Sequence, residues 1–180
     1  MIYVFFAQGF EETEGIATVD ILRRAKQQVK TIGVGSQTIS GSHGISFICD
    51  CEESDVEPSA DLEAVILPGG MPGTANLEKS KKVQAFIDYA FINRRLICAI
   101  CAAPVILGHK GLLNGIEATC FPGYEKDLIG ATISKKFICR DGLFITAKGM
   151  GASIEFGLKI AEEFIGENTA AKIRESLQCP

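Results

Sequence analysis

The stretch RRLICAICAAPVILGHKG, residues 94–111, places a cysteine between an uninterrupted apolar run and a short helical pattern. The apolar residues 96–100 are typical of a strand that is buried on both faces of a parallel sheet. Pro104 suits the first turn of a helix, and Gly111 suits the position just after its end. The sequence therefore predicts that Cys101 lies at a sharp turn from a strand into a helix.

Small residues surround this cysteine. A strand-to-helix turn that lifts a nucleophile above a sheet needs small residues two positions to either side, and Ala99 and Ala103 meet this need. Ala102 is small as well. We interpret Cys101 as a candidate nucleophile whose thiol pKa is lowered by the helix N-terminus. A buried cysteine that acts as a small apolar side chain is the open alternative.

Outward from this turn, short β-rich runs alternate with helical patterns, and Asp141-Gly142 between two apolar runs indicates a hairpin. This order predicts an α/β fold in one domain, residues 1–180, with a mostly parallel central sheet, helices on both faces and a β-hairpin. We expect residues 44–49 to form a strand beside residues 29–35. The other predicted strands are 2–6, 62–70 and 94–100, the hairpin is 135–147, and the helices are 11–25, 81–93, 103–111, 151–166 and 167–177.

Composition excludes several classes of function. The net charge is −4, and acids and bases are interspersed, so no basic surface for nucleic acid is expected. No apolar run approaches the length of a membrane span, and the first residues do not resemble a signal peptide. The odd number of cysteines, seven, agrees with a reducing compartment, and we expect a cytoplasmic protein.

Cysteine spacing leaves two further readings to weigh. CAIC, residues 98–101, matches a redox CxxC motif, but Cys98 lies within the predicted strand rather than at the helix start. Cys49 and Cys51 alternate across a strand and cannot bind one metal ion together. We therefore expect no metal site and no cofactor.

Four unusual stretches follow strands of the predicted sheet: residues 7–15, 68–73, Cys101 itself and 147–153. Ligands of open parallel sheets bind at the carboxyl ends of the strands, so these stretches are expected to meet on one rim. The glycines of PGG, residues 68–70, offer backbone N–H groups for an oxyanion hole, although an ordinary turn is an equally good reading.

The acids of EETE, residues 11–14, are the candidate partners of the thiol. Glu14 shares a helix face with Thr18, Ile21 and Ala25, so we expect it to point inward, whereas Glu12 is expected to face solvent. A carboxyl group buried beside a thiol has a raised pKa and serves as a general acid or base.

Neither histidine forms a recognisable catalytic triad with the cysteine. His109 lies eight residues beyond Cys101, too far along a helix to return to the turn, and we expect it at the helix end. His43 lies in a Ser-Gly-rich turn and either approaches the rim or stays on the surface.

Taken in order, EETE, VILPGG, CAICAAP and GASIEFGLKI resemble the ThiJ/PfpI superfamily over essentially the whole chain. They are most similar to its branch that contains the Parkinson-disease-associated protein deglycase and bacterial chaperone-like relatives. The resemblance implies a flavodoxin-like sandwich that usually forms a homodimer. Cys101 resembles the reactive, easily oxidised cysteine of the family, and Glu14 resembles the carboxylic acid that hydrogen-bonds to it.

The resemblance also assigns secondary positions. It makes Gly69, Gly70 and Ala102 the backbone donors around the sulfur. His43 and Lys148 occupy places where some relatives have arginines that line a small anion or substrate pocket, and Cys49 resembles a cysteine near the dimer contact.

Two departures from the family pattern affect the expected chemistry. Ala102 stands where proteases and amidases of the superfamily have a histidine, and Phe121 stands where some deglycase-branch members have one. The resemblance implies a glyoxalase III or deglycase acting on small dicarbonyls or their adducts. An oxidative-stress sensor or redox chaperone is the alternative, and an amidase or peptidase is less favoured.

Overall fold

The computed structural model describes residues 1–179, whose main elements pack on a seven-stranded sheet. The strands are β1 (Ile2–Phe6), β2 (Val29–Gly33), β3 (Thr38–Ser40), β4 (Ser46–Ile48), β5 (Cys51–Glu52), β6 (Ala64–Leu67), β7 (Leu96–Ile100), β8 (Glu117–Ala118), β9 (Thr132–Ile133), β10 (Ile138–Asp141) and β11 (Phe144–Ala147). The helices are α1 (Glu12–Arg24), α2 (Gly73–Lys79), α3 (Lys81–Ile92), α4 (Pro104–His109), α5 (Ser153–Ile165) and α6 (Glu167–Ser176).

The strand order of the main sheet is β10-β11-β7-β6-β1-β2-β5. All neighbouring strands are parallel except β10 and β11, which form the hairpin at one edge. Strands β3 and β4 pair in a separate antiparallel ribbon, and β8 and β9 pair in a separate parallel one. The predicted α/β fold with a mostly parallel sheet is confirmed.

Burial on both faces explains why the central strands are apolar throughout. In β1, Tyr3 and Phe5 pack under α2, α3 and α4, whereas Ile2, Val4 and Phe6 pack under α1 and α5. Every residue of β6 and β7 is buried too. Because side chains of a strand alternate between its two faces, a strand covered on both sides needs an unbroken apolar run.

The predicted strand at residues 44–49 pairs differently from our expectation, which is wrong on this point. Ser46–Ile48 pairs with Thr38–Ser40, and the neighbour of β2 is β5. The Asp50 carboxylate accepts hydrogen bonds from the backbone N–H and the hydroxyl of Thr31 at 2.8 and 2.9 Å. These bonds tie Asp50 to β2 directly before β5 begins, whereas the residues before Asp50 pair with β3.

The short helix α2 was not predicted, because it is only seven residues long and begins at Gly73. The hairpin was predicted, and its two-residue loop is Gly142-Leu143, one residue later than the Asp-Gly signal. Gly142 has φ +54°, a left-handed conformation that glycine adopts without strain.

The sheet order decides where the candidate site lies. Strands β11, β7, β6 and β1 are consecutive neighbours and run parallel, so their carboxyl ends share one edge. The segments after these four strands are the four stretches that the sequence singled out. Within residues 1–179, no helix is both long enough and apolar enough to cross a membrane.

Candidate active site

Cys101 occupies a strained turn directly after β7. Its φ is +64°, in the left-handed region that side chains other than glycine rarely adopt. Its N–H donates to the carbonyl of Ala147 at 2.9 Å, and its carbonyl accepts from the N–H of Phe121 at 2.8 Å. Ala99 and Ala103 are completely buried, which explains why larger side chains would not fit beside the turn.

Glu14 approaches the thiol from the first turn of α1. The side chain of Glu11 caps this helix by accepting the Glu14 N–H at 2.7 Å, which fixes where the turn begins. Only 1% of Glu14 is exposed, and its Oε2 accepts the N–H of Gly69 at 2.9 Å. Its Oε1 is buried without a hydrogen-bond partner among the described residues, and the nearby thiol of Cys101 partly offsets the rise in the pKa of this carboxyl group.

Gly69 makes the close approach possible. A methyl group at this position would lie 2.5 Å from Cβ of Cys101 and 2.7 Å from Oε2 of Glu14. The structure directs its N–H to Glu14, whereas the N–H groups of Gly70 and Ala102 hydrogen-bond to the sulfur of Cys101. The three predicted backbone donors therefore lie around one acid–thiol pair, two on the thiol and one on the acid.

Burial raises the pKa of Glu14 to about 7, and the charge of Glu11 adds to this rise. Burial also raises the pKa of Cys101 to about 12, together with the charge and hydrogen bond of Glu14, while Gly70 and Ala102 lower it. The expectation of a lowered thiol pKa is wrong, because desolvation and the neighbouring carboxylate outweigh the backbone donors. The thiol therefore keeps its proton at neutral pH, next to a carboxyl group that is half ionised.

Glu12 is buried, with 5% of its surface exposed, so the expectation that it faces solvent is wrong. Its Oε1 accepts the N–H of His43 at 2.7 Å, and its Oε2 lies 3.0 Å from Nδ1 of the same residue. Burial opposes ionisation, but hydrogen bonds from His43 and Ile45 lower the pKa of Glu12 to about 2. The loop between β3 and β4 thus covers the start of α1.

The remaining predicted residues lie around this centre. The side chain of His43 is 72% exposed and pairs with Glu12, whereas Lys148 lines a groove beside Cys101. Only 2% of Cys49 is exposed within its own chain, and its proximity to a dimer contact stays a prediction. Its neighbour Ile48 is 71% exposed and is the residue that faces outward at this point.

One group of side chains suited to metal binding exists in residues 1–179. Donor atoms of Glu11, Glu12 and His43 lie within 4.8 Å of one another. The oxygens of Glu12 already accept hydrogen bonds from the β3–β4 loop, and the N-terminal end of a helix is electropositive, so both features oppose a cation there.

An open groove adjoins the thiol, and sequence reasoning did not find it. Its volume is about 290 Å³. It is lined by Phe121, Pro122, Phe137, Lys148, Gly149, Met150 and Gly151. Met150 belongs to a stretch that the sequence marked and Phe121 is a departure from the family pattern, but Phe137 carried no signal of a site because it lies in the predicted hairpin.

The chain is similar to known proteins over most of its length. Residues 1–163 match the DJ-1/PfpI family. The chain is 33% identical to the Parkinson disease protein 7 homolog of Danio rerio over 178 residues, covering 97% of this chain and 94% of that protein. The structure of oxidized Toxoplasma gondii DJ-1 superposes with a TM-score of 0.94 at 29% identity, covering 99% of this chain and 97% of the other.

Two other relatives match over part of their length. Isonitrile hydratase of Pseudomonas putida is 32% identical over 119 residues, which are 65% of this chain and 52% of that enzyme. Protein DJ-1 homolog B of Arabidopsis thaliana is 32% identical, but the chain spans only 39% of its length. The family match extends over β1, the turn at Cys101 and most of α5, and it shows that the chain belongs to the DJ-1/PfpI family.

Proposed function

We propose that the protein is a cysteine-dependent enzyme of the glyoxalase III or deglycase type, which acts on small dicarbonyl compounds or their adducts. The observation that carries this proposal is the pair formed by Cys101 and Glu14. A thiol at a strained turn meets a buried carboxyl group whose pKa, about 7, suits proton transfer in both directions at neutral pH.

The first step forms a bond between Sγ of Cys101 and the aldehyde carbon of a 2-oxoaldehyde. The thiol has a high pKa, so it transfers its proton to the Glu14 carboxylate as the sulfur attacks. The N–H groups of Gly70 and Ala102, already directed at the sulfur, stabilise the developing oxyanion. Protonation of that oxygen by Glu14 completes a hemithioacetal.

The second step moves a proton between carbons. Glu14 removes the proton from the former aldehyde carbon to form an enediol, in which the adjacent carbonyl oxygen has gained a proton. It then returns the proton to the adjacent carbon while the hydroxyl on the former aldehyde carbon loses its own proton, which gives a thioester of a 2-hydroxy acid. Water then cleaves the thioester and restores the thiol. For methylglyoxal the balance is one dicarbonyl plus one water to one lactate, with no external oxidant or reductant.

Both histidines are engaged elsewhere, which disfavours a hydrolase that depends on imidazole. Nδ1 of His43 lies 3.0 Å from Glu12, and Nδ1 of His109 lies 2.6 Å from Glu78. Ala102 occupies the position of the histidine in proteases of the superfamily. The relationship to isonitrile hydratase supports enzymatic chemistry in general, but its name does not indicate this substrate class.

Methylglyoxal consumption and lactate formation test the proposal. We expect Cys101→Ser to abolish both and Glu14→Gln to reduce them by at least about a hundredfold, in line with the loss of a general acid–base. Cys179→Ser removes a half-buried thiol from the C-terminal turn and is the matched control. Full turnover in Cys101→Ser or Glu14→Gln would rule out this function.

A second function is favoured by the hydrogen-bond donors around the sulfur. We propose as the alternative that peroxide oxidises Cys101 to a sulfinic acid, which Gly70, Ala102 and protonated Glu14 stabilise. Two molecules of peroxide each deliver one oxygen atom and leave as water. Intact-mass measurement distinguishes the two functions: a selective gain of two oxygens at Cys101 without dicarbonyl turnover supports the sensor.

A further inference from the structure

Three large apolar side chains are exposed together at the rim of the site. Phe121 is 47% exposed, Phe137 is 56% exposed and Met150 is 55% exposed. All three line the groove beside Cys101. Exposed apolar groups that cluster in a concave surface typically mark a binding site.

The groove lies next to the turn of Cys101, because Gly149 lines the groove and also approaches the thiol. A methyl group on Gly149 would lie 3.9 Å from Sγ of Cys101 and 3.1 Å from the ring of Phe121, so the absence of a side chain at this position keeps the space between them open. The segments that line the groove are hydrogen-bonded to the turn of Cys101 or to one another. Phe121 donates its N–H to the carbonyl of Cys101 at 2.8 Å, and Lys148 donates its N–H to the carbonyl of Phe137 at 3.1 Å.

Size and chemistry indicate what the groove accommodates. A cavity of about 150 Å³ lined by apolar side chains is sufficient for benzene. The groove has about 290 Å³, so the methyl group of methylglyoxal would leave most of it filled with water. Its side walls are aromatic and thioether groups, which favour an apolar and preferably aromatic occupant.

On the basis of the proposed function, we propose that the preferred substrates are 2-oxoaldehydes with an aryl or extended alkyl group. The aldehyde carbon bonds to Cys101 while the apolar group lies between Phe121, Phe137 and Met150. Phenylglyoxal represents this class, and its conversion to mandelate consumes one water, as the conversion of methylglyoxal to lactate does.

The test compares kcat/KM for phenylglyoxal and methylglyoxal in wild type, Phe137→Ser and the double variant Phe137→Ser with Met150→Ser. Partial burial of a phenyl ring predicts a preference for phenylglyoxal of about five- to tenfold in the wild type. We expect the ratio of the two kcat/KM values to fall about fivefold in Phe137→Ser and further in the double variant. Phe91→Ser, a change of a 41% exposed phenylalanine on α3, is the matched control and should keep the ratio.

Binding of acetophenone provides a readout that needs no turnover. We expect saturation-transfer NMR to detect contact between its ring and the wild-type protein, and to lose most of that signal in Phe137→Ser but not in Phe91→Ser. Binding without any dicarbonyl turnover would support the groove as an aryl site and refute the proposed enzymatic function.

Three results would overturn the groove proposal. One is turnover of both substrates with the same ratio in all variants, which would leave the proposed function intact. Another is the absence of acetophenone binding. The third is a smaller particle mass for Phe137→Ser in size-exclusion light scattering with an unchanged ratio, which would assign the apolar surface to contact between chains.

Discussion

The substitution Glu14→Gln preserves the shape of a buried side chain and removes its titration. The pKa of Glu14 is raised from 4.5 to about 7 in the folded protein. Between these values the folded protein keeps the proton while the unfolded chain releases it. Raising the pH therefore favours the unfolded chain, and the free energy of unfolding of the wild type falls between pH 4.5 and pH 7.

The size of the effect follows from the two pKa values. One pKa unit corresponds to about 1.36 kcal/mol, and the contribution of Glu14 changes by about 2.5 kcal/mol between pH 5 and pH 8. In Glu14→Gln the amide oxygen still accepts the Gly69 N–H, and the amide nitrogen faces Cys101. We therefore expect the free energy of unfolding of the variant, minus that of the wild type, to be about 2.5 kcal/mol higher at pH 8 than at pH 5. The variant should also lose dicarbonyl turnover.

Urea unfolding followed by circular dichroism at pH 5 and pH 8 measures this difference. Glu12→Gln is the control for removing a buried carboxylate, because hydrogen bonds lower the pKa of Glu12 to about 2, so its carboxyl group stays ionised at both pH values and stabilises the fold. It should lose stability at both pH values, and more at pH 5, where His43 is protonated. An equal change in Glu14→Gln at both pH values would refute the reasoning that burial of Glu14 opposes its ionisation.

Three further predictions concern the surroundings of the site. Gly69→Ala places a methyl group 2.5 Å from Cβ of Cys101, so we expect a loss of about 1–3 kcal/mol in thermal unfolding and loss of methylglyoxal turnover. His43→Ala should lower the melting temperature more at pH 5 than at pH 8: the pKa of His43 is raised by Glu12, and its contribution is complete below pH 6.5 and lost above the raised value. If two chains pair through the exposed β3–β4 ribbon, Ile48→Glu should reduce the mass in size-exclusion light scattering to that of one chain, and an unchanged mass would contradict this contact.

Local sequence determined the elements and the position of the turn that holds Cys101. The apolar run before Cys101, the alanines beside it and Pro104 after it specify a buried strand, a tight turn and a helix start, because each acts on its own few residues. The inward direction of Glu14 also followed from helical periodicity. These properties depend on backbone geometry and short-range sterics, which neighbouring residues decide.

The tertiary structure alone decided the electrostatics of the site. Glu12 is buried because the loop that contains His43, about thirty residues away along the chain, folds over it. The thiol pKa of Cys101 is high because strand order brings it into a desolvated pocket next to Glu14. Desolvation and charge proximity depend on distances through space, which no local pattern specifies.

The groove beside the thiol has the same origin. Phe121, Phe137 and Met150 come from three segments, and nothing in the sequence indicates that the three side chains line one surface. The pairing of β11 with β7 and the hydrogen bonds of Cys101 to Ala147 and Phe121 bring these segments to one rim. The sequence determined where the candidate nucleophile lies, and the packing of distant segments decided its protonation and the shape of the surface beside it.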